Sequence, residues 1–170
     1  MRICLPLLLV AAAAQAPAET RHGDWTVSGP GPQGCVAQTG GDGLPWLRVS
    51  ALPGETAPPG SFPAIRLQEY ALRHFATVMQ EGTPVQIRVD DGPAATAMPY
   101  AWLEEDVFQN AQAAIPPGAR QEMLRAMAAG SRIIATSAGR PVADLPLRGF
   151  TAAYLKMMAL CGLDGTGVTG

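Results

Sequence analysis

The chain has 170 residues, of which 48% are hydrophobic and 15% are charged, and its formal net charge at pH 7 is −2. A chain with this slightly acidic balance is not electrostatically attracted to nucleic acid or to an anionic membrane surface, so we expect neither as a partner. The length suits one domain with a sizeable core.

The first eighteen residues are predicted to be a secretory signal peptide. Arg2 is followed by an uninterrupted apolar or small run up to Ala14, and small residues precede a polar start. Cleavage is predicted after Ala18, because cutting after Ala16 instead would place Pro17 directly after the broken bond. The apolar run is shorter than the roughly 20 residues that span a bilayer, as is every later one. We therefore expect no membrane span, a periplasmic or secreted location, and a single β-rich domain over 19–170.

The first part of this domain is predicted to be mainly strand. Residues 23–38 should form a hairpin around Trp25 and Cys35, and residues 46–52 alternate in the manner of a half-buried strand. The Pro/Gly-rich segment 53–63 is predicted to be an exposed loop. Residues 64–79 begin with strand alternation, although their second half also fits a helical stripe.

The second part is predicted to add two hairpins and two short helices. Residues 85–102 should form one hairpin around a turn at 90–93, with the returning strand running through Met98 to Trp102. Strands are also predicted on both sides of a turn at 138–141. Helices are expected near 118–129 and 150–161, followed by a frayed tail from Gly162. The pattern predicts a mainly β, small β-sandwich-like domain of antiparallel hairpins.

The cysteines indicate one disulfide. Cys4 leaves with the signal peptide, and Cys35 and Cys161 then remain as an even pair. In an oxidising compartment such a pair is most simply one bridge, which would stabilise the fold by about 4 to 5 kcal/mol. Two separate buried thiols are the alternative.

No motif predicts a catalytic, metal or cofactor site. The mature chain holds only His22 and His74, without metal-ligand spacing. It lacks a GxSxG motif and any nucleotide-binding glycine motif, so we assign no catalytic residues and no cofactor. The acidic run 104–106 could serve as acid and base, but adjacent carboxylates usually face water.

A binding surface is the remaining possibility. Trp25, Trp46 and Trp102 could line a binding face or anchor the core. Loops on a rigid sheet often carry recognition, which favours the segment 53–63 and the turn at 90–93. We predict a possible binding surface at Trp46, Trp102, Asp90 and Asp91.

The order of several short motifs resembles the invasion-associated locus B family of exported bacterial envelope proteins. These motifs are GDWTV at 23–27, Cys35, GRPV at 139–142 and LRGFTAAY at 147–154. The resemblance implies a small β-sandwich-like domain with a helix or two, at the periplasm or outer surface, linked in some members to host-cell invasion or envelope stress. It implies no established catalytic residues.

This chain departs from the family pattern in its cysteines. Family members usually carry a cysteine near Ser28 or Gly29 that pairs locally with the one matching Cys35, and further cysteines around 103–110. Their absence here implies that Cys161 replaces the customary partner. We therefore expect a non-enzymatic envelope protein that binds a protein or envelope component. A periplasmic hydrolase using the acidic run and a small-ligand carrier with a tryptophan-walled apolar cavity are the alternatives.

Overall fold

The fold was analysed in a computed structural model, which describes residues 19–43 and 45–169. The predicted signal peptide and its cleavage site lie outside the described residues. Over the part that is described, no helix is both long and apolar enough to cross a membrane. The mainly β prediction is confirmed, with two antiparallel sheets and two α-helices in the described ranges.

The large sheet has seven strands in the spatial order β1-β2-β3-β4-β5-β9-β8. In chain order they are β1 (Thr20–His22), β2 (Trp25–Gly31), β3 (Gly34–Gly40), β4 (Trp46–Ala51), β5 (Ala64–Leu72), β8 (Pro99–Glu104) and β9 (Phe108–Ala114).

The small sheet has four strands in the order β11-β10-β6-β7. They are β6 (Val85–Val89), β7 (Ala95–Ala97), β10 (Arg132–Ser137) and β11 (Arg140–Pro146), and the helices are α1 (Arg120–Ala129) and α2 (Phe150–Leu160).

One hydrophobic core joins the inner faces of both sheets and the two helices. Each strand contributes alternate residues because successive side chains point to opposite faces. Leu47 and Leu67, for example, are register partners on β4 and β5 and are both buried. Helix α2 lies across β2 and β3, where Tyr154 and Met157 are fully buried. The opposite, outer face of the large sheet is left uncovered by the helices.

The GDW motif (residues 23–25) and the RGF motif (residues 148–150) contact each other and attach the start of α2 to the first hairpin. The Asp24 N–H donates to the carbonyl of Arg148 at 3.0 Å, and the Arg148 guanidinium donates to both oxygens of Asp24 at 2.6 and 3.0 Å. This hydrogen-bonded pairing lowers the pKa of Asp24. Trp25 packs against Phe150 with ring centroids 4.9 Å apart. These two motifs therefore help to hold the fold together.

The disulfide prediction is confirmed, since Cys35 on β3 is bonded to Cys161 directly after α2, with Cα atoms 5.8 Å apart. The sulfurs meet because β3 lies under the helix and Cys161 follows its last turn. Helix α2 is consequently fixed at its start by the GDW–RGF contact and at its end by a covalent bond.

The predicted hairpin over 85–102 is only partly correct. The returning strand β7 covers Ala95–Ala97, and Pro99–Glu104 then belongs to β8 in the large sheet. Proline lacks the N–H that a ladder requires, so Pro99 suits a break, and the intervening Met98 is exposed. The chain therefore changes sheets where one continuous strand was predicted.

The first half of segment 64–79 is confirmed as a strand, whereas the helical alternative for its second half is not formed. Strand β5 ends at Leu72, and no helix follows it. Instead, the Glu69 carboxylate accepts the N–H groups of Val78 and Met79 at 2.7 and 2.9 Å and fixes an irregular loop.

The C-terminal tail is packed where fraying was predicted, because Val168 is buried and Arg125 donates to the carbonyl of Gly167 at 2.7 Å.

Candidate functional site

A groove of about 420 Å³ lies on the outer face of the large sheet. Strands β4, β5, β9 and β8 form its floor and walls, and the segments before β3, after β4 and at the start of α1 form its rim. We call it the outer groove. It is lined by Gln33, Trp46, Arg48, Ser50, Leu52, Glu55, Thr56, Ala64, Arg66, Gln68, Tyr100, Trp102, Gln112 and Arg120.

The strand register places the lining residues in rows across the sheet. Trp46, Gln68, Gln112 and Tyr100 are successive register partners on four neighbouring strands. On β4 and on the first part of β5 the lining positions alternate with buried apolar ones. This row of two aromatic and two amide side chains therefore lies on the outer face of the sheet, opposite the apolar side chains that form the core.

Aromatic rings stand on both sides of the groove. Trp46 lies on β4, and the Arg48 guanidinium carbon is 5.5 Å from its ring centroid, a cation–π distance. On β8, Tyr100 and Trp102 stack with centroids 5.2 Å apart. The two aromatic sides are separated by three strand spacings, about 14 Å.

Three arginines give the groove a local positive charge, opposed in the lining only by Glu55. Arg48 and Arg66 are register partners on β4 and β5, and Arg120 approaches from the start of α1. None of the three is in either salt bridge found among the described residues, which use Arg132 and Arg148.

The groove arginines are held by neutral partners instead. Arg48 donates to the side-chain carbonyls of Gln33 and Gln38 at 3.2 and 3.3 Å, and Arg66 donates to the Ser50 hydroxyl at 2.8 Å. Burial lowers the pKa of Arg48, and the neighbouring Arg66 guanidinium lowers it further. The pKa of Arg120 is lowered by the same two causes. The Glu55 carboxylate partly offsets this lowering at Arg120, but within the described ranges none of the three arginines forms a salt bridge with it.

Side-chain amides cover the floor between the aromatic sides. Gln112 donates to the Tyr100 hydroxyl at 2.8 Å, and Gln68 donates to the side-chain oxygen of Asn110 at 3.0 Å. Asn110 in turn donates to Glu104 at 3.0 Å. These bonds orient the amides, which can present both donors and acceptors to a polar ligand.

The structure separates the predicted binding residues into two groups. Trp46 and Trp102 both line the outer groove, whereas Asp90 and Asp91 lie outside it, at the end of β6 in the small sheet. The Asp90 carboxylate accepts the N–H groups of Ser131 and Arg132, both at 3.0 Å, so both of its oxygens are already engaged. Of the loop 53–63, Glu55 and Thr56 reach the rim.

The other candidate residues lie away from the groove or in the core. Glu105 and Asp106 form the turn between β8 and β9 and are exposed. Trp25 is fully buried, so it anchors the core. In residues 19–43 and 45–169, no group of three or more His, Cys, Asp or Glu side chains is placed to hold a metal.

Comparison with solved structures relates the architecture to a known one. The chain shares its fold with invasion associated protein B from Bartonella henselae. The TM-score is 0.55 at 16% sequence identity, and the match covers 84% of this chain and 97% of that one. No family model and no curated protein matches the sequence.

Sequence reasoning missed most of the groove residues. Arg48, Arg66 and Gln68 lie on predicted strands, and their alternation with buried residues signalled an outward face. Nothing local indicated that β9 would pair with β5 and bring Gln112 and Tyr100 beside them. The groove is a product of non-local pairing.

Proposed function

We propose that this protein is a non-enzymatic exported envelope protein of the invasion-associated locus B type, which binds a protein or another envelope component through the outer groove. The observation that carries the proposal is one concave site that combines flanking aromatic rings, an amide floor and three arginines with no salt bridge to any described residue. A pocket with a few convergent polar groups is the default binding-site hypothesis.

The fold and the disulfide support the wider setting. A solved structure with the same fold is that of invasion associated protein B from Bartonella henselae, and the motif order favours the same class. Disulfides persist in oxidising compartments such as the periplasm, which is where a chain with the predicted signal peptide ending at Ala18 would be sent.

The experiment starts with protein recovered from the periplasm or medium of an expressing bacterium, where its mass should correspond to a chain that begins at Glu19. The immobilised protein is then exposed to a solubilised bacterial envelope fraction. We expect Arg66→Gln to reduce the retained material by about tenfold, because a hydrogen bond to a charged group contributes roughly 1.5 kcal/mol or more.

Arg88→Gln is the matched control, because Arg88 is an exposed strand arginine on β6 in the small sheet. It removes the same charge and should leave retention unchanged. Equal losses in both variants, or no groove-dependent retention, would contradict the proposed site. Degradation of the retained material by the protein would contradict its non-enzymatic character, and protein that remained in the cytoplasm would contradict export.

A further inference from the structure

We infer that the outer groove selects an acidic oligosaccharide, with guanidinium groups on its anionic substituents and aromatic rings against its sugar rings. The inference rests on the proposed function and specifies the envelope component. Three features support it: the charge of the groove, the placement of its aromatic rings and the strand pairing of the backbone beneath it.

The charge of the groove calls for an anion. Arg48 and Arg66 are adjacent across one strand pair, and Arg120 is close enough to Arg66 for the two charges to influence each other. Among the described residues their hydrogen-bond partners are neutral oxygens. A carboxylate or phosphate between them would replace repulsion by charge-assisted, and for arginine often bidentate, hydrogen bonds.

The rings and amides call for a sugar. The C–H face of a pyranose is apolar and packs on aromatic rings, while its hydroxyls act as both donors and acceptors. Trp46 on one side, Tyr100 with Trp102 on the other, and the amides of Gln68 and Gln112 between them offer both kinds of contact. Tyr100 remains 52% exposed, so its ring is open to a ligand.

The backbone beneath the groove argues against an extended acidic peptide. Such peptides commonly bind by adding a strand to a free sheet edge through main-chain hydrogen bonds. Strands β4, β5 and β9 are each paired on both sides, and β8 is the edge strand of the large sheet. The unpaired edge of β8 therefore lies at the margin of the groove, and the floor between the two aromatic sides offers side chains only. A ligand recognised through hydroxyls and charged substituents suits this surface better.

The charge distribution argues against nucleic acid. A chain with a formal net charge of −2 provides no long-range attraction for a polyanion. The groove also has only three lining arginines, whereas a DNA-binding protein can contact about 6 to 10 phosphates. Its positive charge is local and matches a short ligand with one or two anionic groups.

The test is isothermal titration of the oxidised mature protein with defined probes. Tetragalacturonate supplies carboxylates, a phosphorylated lipopolysaccharide core oligosaccharide supplies phosphates, and maltotetraose is the neutral control. We expect at least one acidic probe to bind at least about tenfold more tightly than maltotetraose, and the stronger acidic probe identifies the source of the anion. A thymidine octanucleotide and a tetraglutamate peptide test the two rejected ligand classes.

Two variants with matched controls test the location of binding. Arg66→Gln should raise the Kd of the acidic probe by about tenfold or more, and Trp102→Ala should raise it by about three- to tenfold. Arg88→Gln and Phe75→Ala, at exposed positions outside the groove, should leave it unchanged. Thermal unfolding of each variant establishes that it is folded.

Each other outcome overturns the inference. These outcomes are no saccharide binding, equal binding of maltotetraose, tighter binding of the oligonucleotide or the peptide, and equal effects of the groove and control variants. If retention of envelope material still depends on Arg66 while no saccharide binds, the ligand class is wrong and the proposed function stands. If retention is also independent of Arg66, the proposed function fails with it.

Discussion

Removal of the Cys35–Cys161 disulfide is expected to lower the free energy of unfolding by about 5 kcal/mol. The bridge joins residues separated by 126 positions, so it restricts most of the chain in the unfolded state. A loss of this size is a large part of the 5 to 15 kcal/mol that typically stabilises a domain, as an order-of-magnitude comparison. The measurement is urea unfolding of the double variant Cys35→Ala/Cys161→Ala beside the oxidised protein.

Chemical reduction provides the control for this prediction. Oxidised wild-type protein should fall to nearly the stability of the double variant when a reductant is added, whereas the double variant should not respond to the reductant. Unchanged unfolding midpoints would show that the bond contributes little. Cys35 is fully buried in the native protein, so the thiols are probed after unfolding in urea without reductant; reaction of both cysteines with a maleimide there would show that the bond is absent.

The second large effect is expected from Gly149→Ala, at the contact between the GDW and RGF motifs. Gly149 has a φ of +91°, and an added Cβ would lie only 2.1 Å from the backbone oxygen of His22. Backbone atoms cannot rotate away as a side chain would, so β1 and α2 would have to separate. We expect a loss of about 3 kcal/mol or more in the free energy of unfolding, from left-handed strain and lost packing together.

Gly139→Ala isolates the strain from the clash. Gly139 has a similarly positive φ of +76°, but an added Cβ there would meet no atom within 4 Å. The control variant should therefore lose only about 1 kcal/mol. Equal losses in the two variants, by urea unfolding, would mean that the motif contact adds nothing beyond backbone strain.

Elements with a strong local pattern could be predicted from the sequence. The alternation of Val85, Ile87 and Val89 predicted β6, the apolar stripe after Phe150 predicted α2, and an even pair of cysteines in a chain predicted to be exported predicted the disulfide. In each case the residue pattern and the packing agree, because the same residues that define the period also form the core.

Strand β9 could not be predicted in this way. Its residues include Asn110, Gln112 and several alanines, which have little intrinsic strand preference. Tertiary pairing compensates, since β9 lies between β5 and β8 and both neighbours supply hydrogen bonds. The strand change at Met98 escaped prediction for the same reason, because it depends on a partner more than ten residues away.

The candidate site was predicted only through its aromatic residues. Trp46 and Trp102 were picked out by type, whereas Arg48, Arg66 and Gln112 look like ordinary outward-facing strand residues. Their convergence follows from the register of four strands that are not all consecutive in the chain. Asp90 shows the converse, since its carboxylate is occupied by backbone N–H groups that no local pattern revealed.

The most direct test of the outer groove as the binding surface is NMR chemical-shift mapping of the nitrogen-15-labelled mature protein during addition of solubilised envelope material. We expect the largest shifts at the indole N–H group of Trp102 and the side-chain amides of Gln68 and Gln112, while the indole of buried Trp25 stays constant. Shifts concentrated on the small sheet or the helices, or no shifts at all, would contradict the account.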